Sequence, residues 1–218
     1  MDKEERFELE VREIQAGDLD ALAELHRRVF ADRFLSYMGR RFLRLYYAEF
    51  IGRELNRGCV ALQGGKPVGF AVGTAELDGF YRRFFFRHPV SISLLAVWRF
   101  VVSRAARRDM VRSAAQFRYA FRSIFSRRGK PVAASELIGT GVQARLLAIG
   151  VAPGFRRNGV ARELESRFLE GMRGAGAHTV GLGVDGDNTS AIAYYEKCGW
   201  QRDGRKAKVV YFCKSVSD

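Results

Sequence analysis

The stretch Leu146–Ala161, LLAIGVAPGFRRNGVA, decides how this chain is read. Its near-continuous apolar run, Leu146–Val151, predicts a buried strand. Pro153 and Gly154 end that strand, and two arginines and Asn158 follow. From Gly159 the pattern is helical, with Val160, Leu164, Phe168 and Met172 on one face and Arg162, Glu163, Glu165 and Arg167 between them. A strand, a basic turn and a helix opening at a residue without a side chain form an anion cradle. The first-turn amides lack intrahelical partners, and the helix dipole adds to their attraction for phosphate. Gly159 and Ala161 let a ligand approach the backbone closely. Strand–turn–helix units are common, however, and arginines in turns are usually just solvated.

Outward from this stretch, the sequence gains a second block: Asn188, Ala191, Ala193, Tyr195, Glu196, Gly199 and Trp200. The run Arg156-x-x-Gly159-x-Ala161 resembles the pyrophosphate-binding signature of the GCN5-related N-acetyltransferases (GNAT). The second block resembles that family's N-x-x-A-x-x-x-Y-E-x-x-G-[FW] segment at the spacing the family shows. The similarity covers Leu146–Trp200. It implies an α/β acyl-CoA N-acyltransferase fold: a central mixed sheet with helices on both faces, whose fourth and fifth strands splay apart. It further implies acetyl-CoA as co-substrate and no metal. The pantetheine arm would lie along the backbone of Ile149, Gly150 and Val151. The pyrophosphate would sit beside Arg156 on the amides of Arg157, Asn158, Gly159, Val160, Ala161 and Arg162. Asn188 would bond the pantetheine arm, and Tyr195 would stand by the sulfur as general acid, with Tyr194 merely packed.

A length of 218 residues suits one domain, 1–218, carrying an insertion at about 76–143. No apolar run reaches the roughly 20 residues of a spanning helix, and the acidic opening MDKEERFELE does not read as a signal peptide. Cys59, Cys198 and Cys213 are odd in number and far apart, which suits a reducing cytoplasm and small core residues better than disulfides. The net charge of +13 is concentrated: twelve arginines lie between Phe80 and Arg128, against only Asp109.

The remaining elements follow from periodicity. Glu8–Ile14 predicts a first strand, and Asp18 a cap for a helix on Leu19, Leu22, Leu25 and Val29. A second helix is expected over Leu35–Arg53, with Met38, Phe42, Leu45, Tyr46 and Phe50 on its inner face. Gly58–Gln63 and Pro67–Ala75 read as a hairpin turning at Gly64-Gly65. In the insertion, Ile92, Leu95, Trp98 and Val102, then Phe117, Phe121, Ile124 and Phe125, predict basic aromatic helices between the third and fourth strands. Val180, Leu182 and Val184 predict a strand, Asn188–Cys198 a short helix, and Lys206–Lys214 a closing strand. Gly181-x-Gly183-x-x-Gly186 matches the dinucleotide-binding pattern only formally. Here the apolar alternation runs through the glycines, which are better read as room for a ligand or a bend.

Acetyl transfer to an amine needs a deprotonated nucleophile, a polarised thioester carbonyl and a proton for the departing thiolate. A phenol near pKa 10 is within about two units of a thiol near 8.5, so Tyr195 could supply that proton at little cost. The general base has no assigned residue, since Gly183 and Arg145 occupy the positions where the family commonly carries one. Glu76, Asp78, Glu136, Asp185, Asp187 or an ordered water remain open, and His178 is expected to lie away from the chemistry. Two functions stand side by side: an acetyl-CoA-dependent N-acetyltransferase acting on an unidentified primary amine, with an anionic acceptor among the options, or an acyl-CoA-binding module whose basic segment 80–128 docks peripherally on an anionic membrane or other anionic partner. Nucleic acid fits poorly, because nothing resembles a reading helix or base-stacking sheet. The oligomeric state is left open.

Overall fold

The computed structural model describes residues 9–31, 33–89 and 142–216. A seven-stranded mixed sheet runs in the order β1-β2-β3-β4-β5-β7-β6. Its strands are β1 (Glu10–Glu13), β2 (Asn56–Gln63), β3 (Lys66–Thr74), β4 (Arg145–Val151), β5 (Thr179–Asp185), β6 (Gln201–Lys206) and β7 (Val209–Ser215). Every pairing is antiparallel except that of β4 with β5.

Alternation along the central strands divides the apolar residues between two cores. Val60, Leu62, Phe70 and Val72 pack beneath α1 (Leu19–Val29), α2 (Phe34–Met38), α3 (Arg40–Ala48) and α4 (Leu77–Arg87). Cys59, Ala61, Val68 and Ala71 face α5 (Val160–Gly174), whose Leu164, Phe168 and Met172 are fully buried; α6 (Thr189–Lys197) joins that side through Tyr195. The mixed sheet with helices on both faces is the architecture the sequence implies.

Three expectations need correction. The predicted helix over Leu35–Arg53 is two helices, broken at Gly39 (φ +86°), and it ends at Ala48. Asp18 does not cap α1 with its side chain; it accepts from the Gln15 amide at 2.8 Å and from both Arg12 guanidinium nitrogens at 2.7 and 2.9 Å. The single closing strand is a hairpin: β6, QRDGRK, is exposed along its whole length and so carries no apolar alternation to reveal it. By contrast the Gly64-Gly65 turn forms as read, with φ of +55° and +72° at its two central residues, the left-handed pair that a tight hairpin requires.

Of the basic stretch, 90–128 lies outside the described residues, as do its two predicted helices and Glu136. Its opening turns out to be α4, which buries Phe80 and Phe84 against the α3 side. Phe80 stacks on Phe50 at 5.3 Å, and Phe84 meets Phe42 edge-on at 5.7 Å. Two of its arginines are paired: Arg83 with Glu76 at 2.8 Å, and Arg87 with both oxygens of buried Glu49 at 2.8 and 2.9 Å. The Leu77 amide bonds to the Gln143 carbonyl at 3.1 Å, so the chain leaves and rejoins the sheet at adjoining points.

Under α1, His26 is 2% exposed, its Nδ1 lies 2.7 Å from the Tyr47 hydroxyl, and its ring stacks on Phe70. Burial lowers its pKa to about 4. The unfolded chain binds a proton there near pH 6.5, and the folded chain resists doing so until about pH 4. This contribution is therefore complete above about pH 6.5 and lost as pH falls toward 4, on the order of 3 kcal/mol in all. Urea unfolding across that window should show the decline, and His26→Phe should flatten it; an unchanged slope in the variant would assign the decline to other groups.

Candidate active site

The site begins at a fault in the sheet. The β3–β4 register passes from Gly73↔Leu146 to Val72↔Ala148, which leaves Leu147 as an extra residue. Before this bulge β4 touches β5 at a single position, Arg145↔Gly181, with the Gly181 amide bonded to the Ala144 carbonyl at 2.8 Å. Beyond it the two strands part. Ala152 donates to Val68 at 2.8 Å, so alternation turns the backbone of Ile149 and Val151 toward the open side. One of those groups is occupied: Arg156 Nε donates to the Val151 carbonyl at 3.2 Å.

The parting opens a cleft of about 1570 Å³. Of the residues assigned from sequence, Ile149, Gly150, Val151, Arg156, Arg157, Gly159, Ala161, Arg162, Asn188 and Tyr195 line it. Asn158 and Val160 do not: Asn158 is exposed on the turn, and the Val160 side chain is buried in the core, leaving only its backbone available. Arg157 (φ +66°) and Gly159 (φ +81°) are both left-handed, which curls the turn so that its amides precede the helix together. A Cβ placed on Gly159 would meet nothing within 4 Å, so the space above the cradle is open. The Arg162 amide is already bonded to the Gly159 carbonyl at 2.9 Å, which narrows the cradle to the amides of residues 157–161.

Across the cleft, Asn188 caps α6, its side-chain oxygen accepting from the Ala191 amide at 3.1 Å. That bond explains an asparagine at this place before any ligand is considered. Tyr195 is buried, its ring edge-on to Tyr194 (5.3 Å) and Trp200 (5.7 Å) and tilted against Phe212 (6.0 Å). Burial above all, and then Glu165, push the Tyr195 phenol well above its ordinary value. The two-unit match with a thiol that sequence reasoning assumed is therefore widened, while the proton itself is held more firmly.

Glu165 is the residue that sequence reasoning missed. Its place in the polar run of α5 suggested a solvated face, yet it is 3% exposed and lines the cleft. It accepts from Tyr194 Oη at 2.9 Å, Trp200 Nε1 at 2.9 Å and Lys214 Nζ at 3.0 Å. Tyr194 is thus bonded rather than merely packed. The signal lay in position: Glu165 follows Leu164 directly, at the flank of the apolar stripe, where α5 meets α6.

Three of the carboxylates considered as bases already have partners. Asp185 pairs with Arg33 at 3.1 Å and accepts from the Asp187 amide at 3.2 Å; that amide bond, with Arg33, holds its carboxyl below the usual range, which weakens it as a base. Glu76 holds Arg83, and Asp78 accepts from Gln143 at 3.3 Å. The first two glycines of the formal dinucleotide pattern lie within β5. A Cβ on Gly181 would run into the buried Arg145 guanidinium, and one on Gly183 would crowd Val209 and Tyr211 at 3.1 and 3.2 Å.

Residues 116–200 match the model of the "Acetyltransferase (GNAT) family". Solved structures share the fold over nearly the whole chain. A GNAT-family acetyltransferase from Streptococcus pneumoniae is 14% identical, with a TM-score of 0.56 over 96% of this chain and 100% of its own. The ribosomal-protein-S18-alanine N-acetyltransferase from Escherichia coli is 17% identical, with a TM-score of 0.55 over 97% and 96%. A putative acetyltransferase from Salmonella typhimurium, solved with its cofactor acetyl-CoA, is 13% identical, with a TM-score of 0.54 over 96% and 95%. No curated protein matches the sequence. The resemblance carried by Arg156, Gly159, Ala161 and the Asn188–Trp200 block is borne out, and so is the fold it implied.

The bond from Tyr194 to a buried carboxyl predicts a measurable cost. Tyr194→Phe should lower stability by about 1.5–3 kcal/mol in urea unfolding, the range for hydrogen bonds to charged groups. Unchanged stability would mean that the hydroxyl is not coupled to Glu165.

Proposed function

We propose that this chain, whose residues 116–200 match the GNAT acetyltransferase family and whose described residues share that family's fold, is an acyl-CoA-dependent N-acetyltransferase that moves the acetyl group of acetyl-CoA to a primary amine. The observation that carries this reading is the parting of β4 from β5 beside an open, left-handed basic turn, with Tyr195 in the opposite wall. The open-side backbone of Ile149 and Val151 would hold an extended amide-bearing chain, and the amides of residues 157–161, with Arg156 and Arg157, would hold a diphosphate. Two structures of the same fold, from Thermoplasma acidophilum and Salmonella typhimurium, carry coenzyme A and acetyl-CoA respectively.

Acetyl-CoA supplies an activated thioester, so what remains for the protein is to orient it, to exclude water and to manage two protons. Tyr195 Oη is the proton donor toward the sulfur. Its raised pKa keeps the phenol protonated throughout the neutral range, and the donation is correspondingly uphill unless the sulfur is highly basic as it leaves. The incoming amine loses its proton to water or to a group on the acceptor side of the cleft. That side carries Arg28, in the last turn of α1, and Arg33 just after it; Arg33 is paired with Asp185, so Arg28 is the cation that favours acceptors bearing a negative charge. Three free cysteines suit a reducing cytoplasm, and no described helix is long and apolar enough to cross a membrane.

Acetyl-CoA should raise stability by roughly 2–3 kcal/mol at a hundredfold excess over its dissociation constant, read as a thermal shift. Gly159→Glu should abolish that gain, because it places bulk and negative charge in the open space above the cradle; normal binding by the variant would sink the cradle assignment. Thiol release measured over a panel of amines, phosphorylated and carboxylated ones included, then finds the acceptor. With that acceptor, Tyr195→Phe should lower turnover by a factor on the order of 10²–10⁴ while acetyl-CoA binding holds. Turnover at the parent rate would remove Tyr195 as the acid.

A further inference from the structure

Glu165 is a buried carboxyl in the wall of the cleft, and its three partners surround the catalytic candidate. Tyr194 precedes Tyr195 on α6, and Trp200 follows just beyond that helix; each meets the Tyr195 ring edge-on. Lys214, on β7, is the third, and it also donates to the Cys198 carbonyl at 2.8 Å, in the turn between Tyr195 and Trp200. The Trp200 amide in turn bonds to the Tyr195 carbonyl at 3.0 Å. One carboxyl on α5 thus ties together two of the three rings that flank Tyr195 and, through Lys214, the turn behind it. We infer that Glu165 is the positioning residue of the acetyl transfer, fixing the place and angle of the Tyr195 phenol in the cleft through Tyr194, Trp200 and Lys214.

This inference rests on the reading of Tyr195 as proton donor. The arrangement goes beyond what packing requires. An apolar side chain at 165 could fill the space between α5 and α6, but it would leave the Tyr194 hydroxyl, the Trp200 indole N–H and the Lys214 ammonium without their acceptor. Three donors converging on one carboxyl restrict α6 in rotation as well as translation. The catalytic consequence is steep, because a proton donor misplaced by about 1 Å can lose on the order of a hundredfold in rate. The charge acts too: a negative neighbour disfavours the phenolate and so holds the proton on Tyr195.

The test is a double-mutant cycle between Glu165→Gln and Tyr195→Phe, with the acceptor found in the amine panel. Glu165→Gln alone should lower kcat roughly tenfold or more, with acetyl-CoA stabilisation retained. In the Tyr195→Phe background it should cost less than about twofold, because the group it positions is already gone. Glu165→Asp, which keeps the charge and an acceptor, should retain more of the parent kcat than Glu165→Gln. Losses that multiply in full in the double variant would overturn the inference while leaving Tyr195 as the acid. Parent turnover in Tyr195→Phe alone would overturn both. Should Glu165→Gln fail to fold, the cycle run with Tyr194→Phe must show the same non-additivity, and full additivity there overturns the inference equally.

Discussion

Everything at this site depends on one backbone contact, Arg145↔Gly181, being the last between β4 and β5. A parallel pair that continued would satisfy the open-side groups of Ile149 and Val151 within the sheet, and there would be no cleft. The extra residue at Leu147 ends the pairing by changing which backbone groups face β5. Once the strands part, α5 and α6 become the walls, and the left-handed turn at Arg157–Gly159 lies at the mouth. Gly181 is part of the same device: having no side chain, it lets the Arg145 guanidinium lie beneath it at the point of parting.

The sequence made legible whatever was carried by apolar periodicity or by backbone chemistry. Leu146–Val151, the Val160–Met172 stripe and the Gly64-Gly65 turn all read directly, because each is dictated by local pattern. β6 was illegible because an exposed edge strand owes its place to bonding with β7 and not to burial. The break at Gly39 was hidden because the apolar positions on both sides keep helical spacing. Arg83 and Arg87, at the opening of the basic segment, pair with Glu76 and Glu49, and Phe80 and Phe84 beside them fill the core. Charge counts along a chain do not reveal which acids the fold will bring alongside.

Glu165 and Arg145 show what such hidden charges do. Each is buried, at 3% exposure, and each stands where the cleft is defined: Arg145 where the strands part, Glu165 where α5 meets α6. Removing a charge from water costs several kcal/mol, and a buried ion pair recovers little more than that. Stability alone therefore does not call for either charge, since an apolar packing that replaced charge and partners together would cost little, whereas removing one member strands the others. What a buried charge adds is direction. An apolar contact tolerates sliding, whereas a carboxyl with three donors, or a guanidinium threaded under a glycine, holds only in one arrangement. Burial lowers the Arg145 pKa, and Asp203 is foremost among the neighbours that oppose the shift. One charge thus lies where β4 and β5 part, and the other in the wall of the cleft that the parting opens.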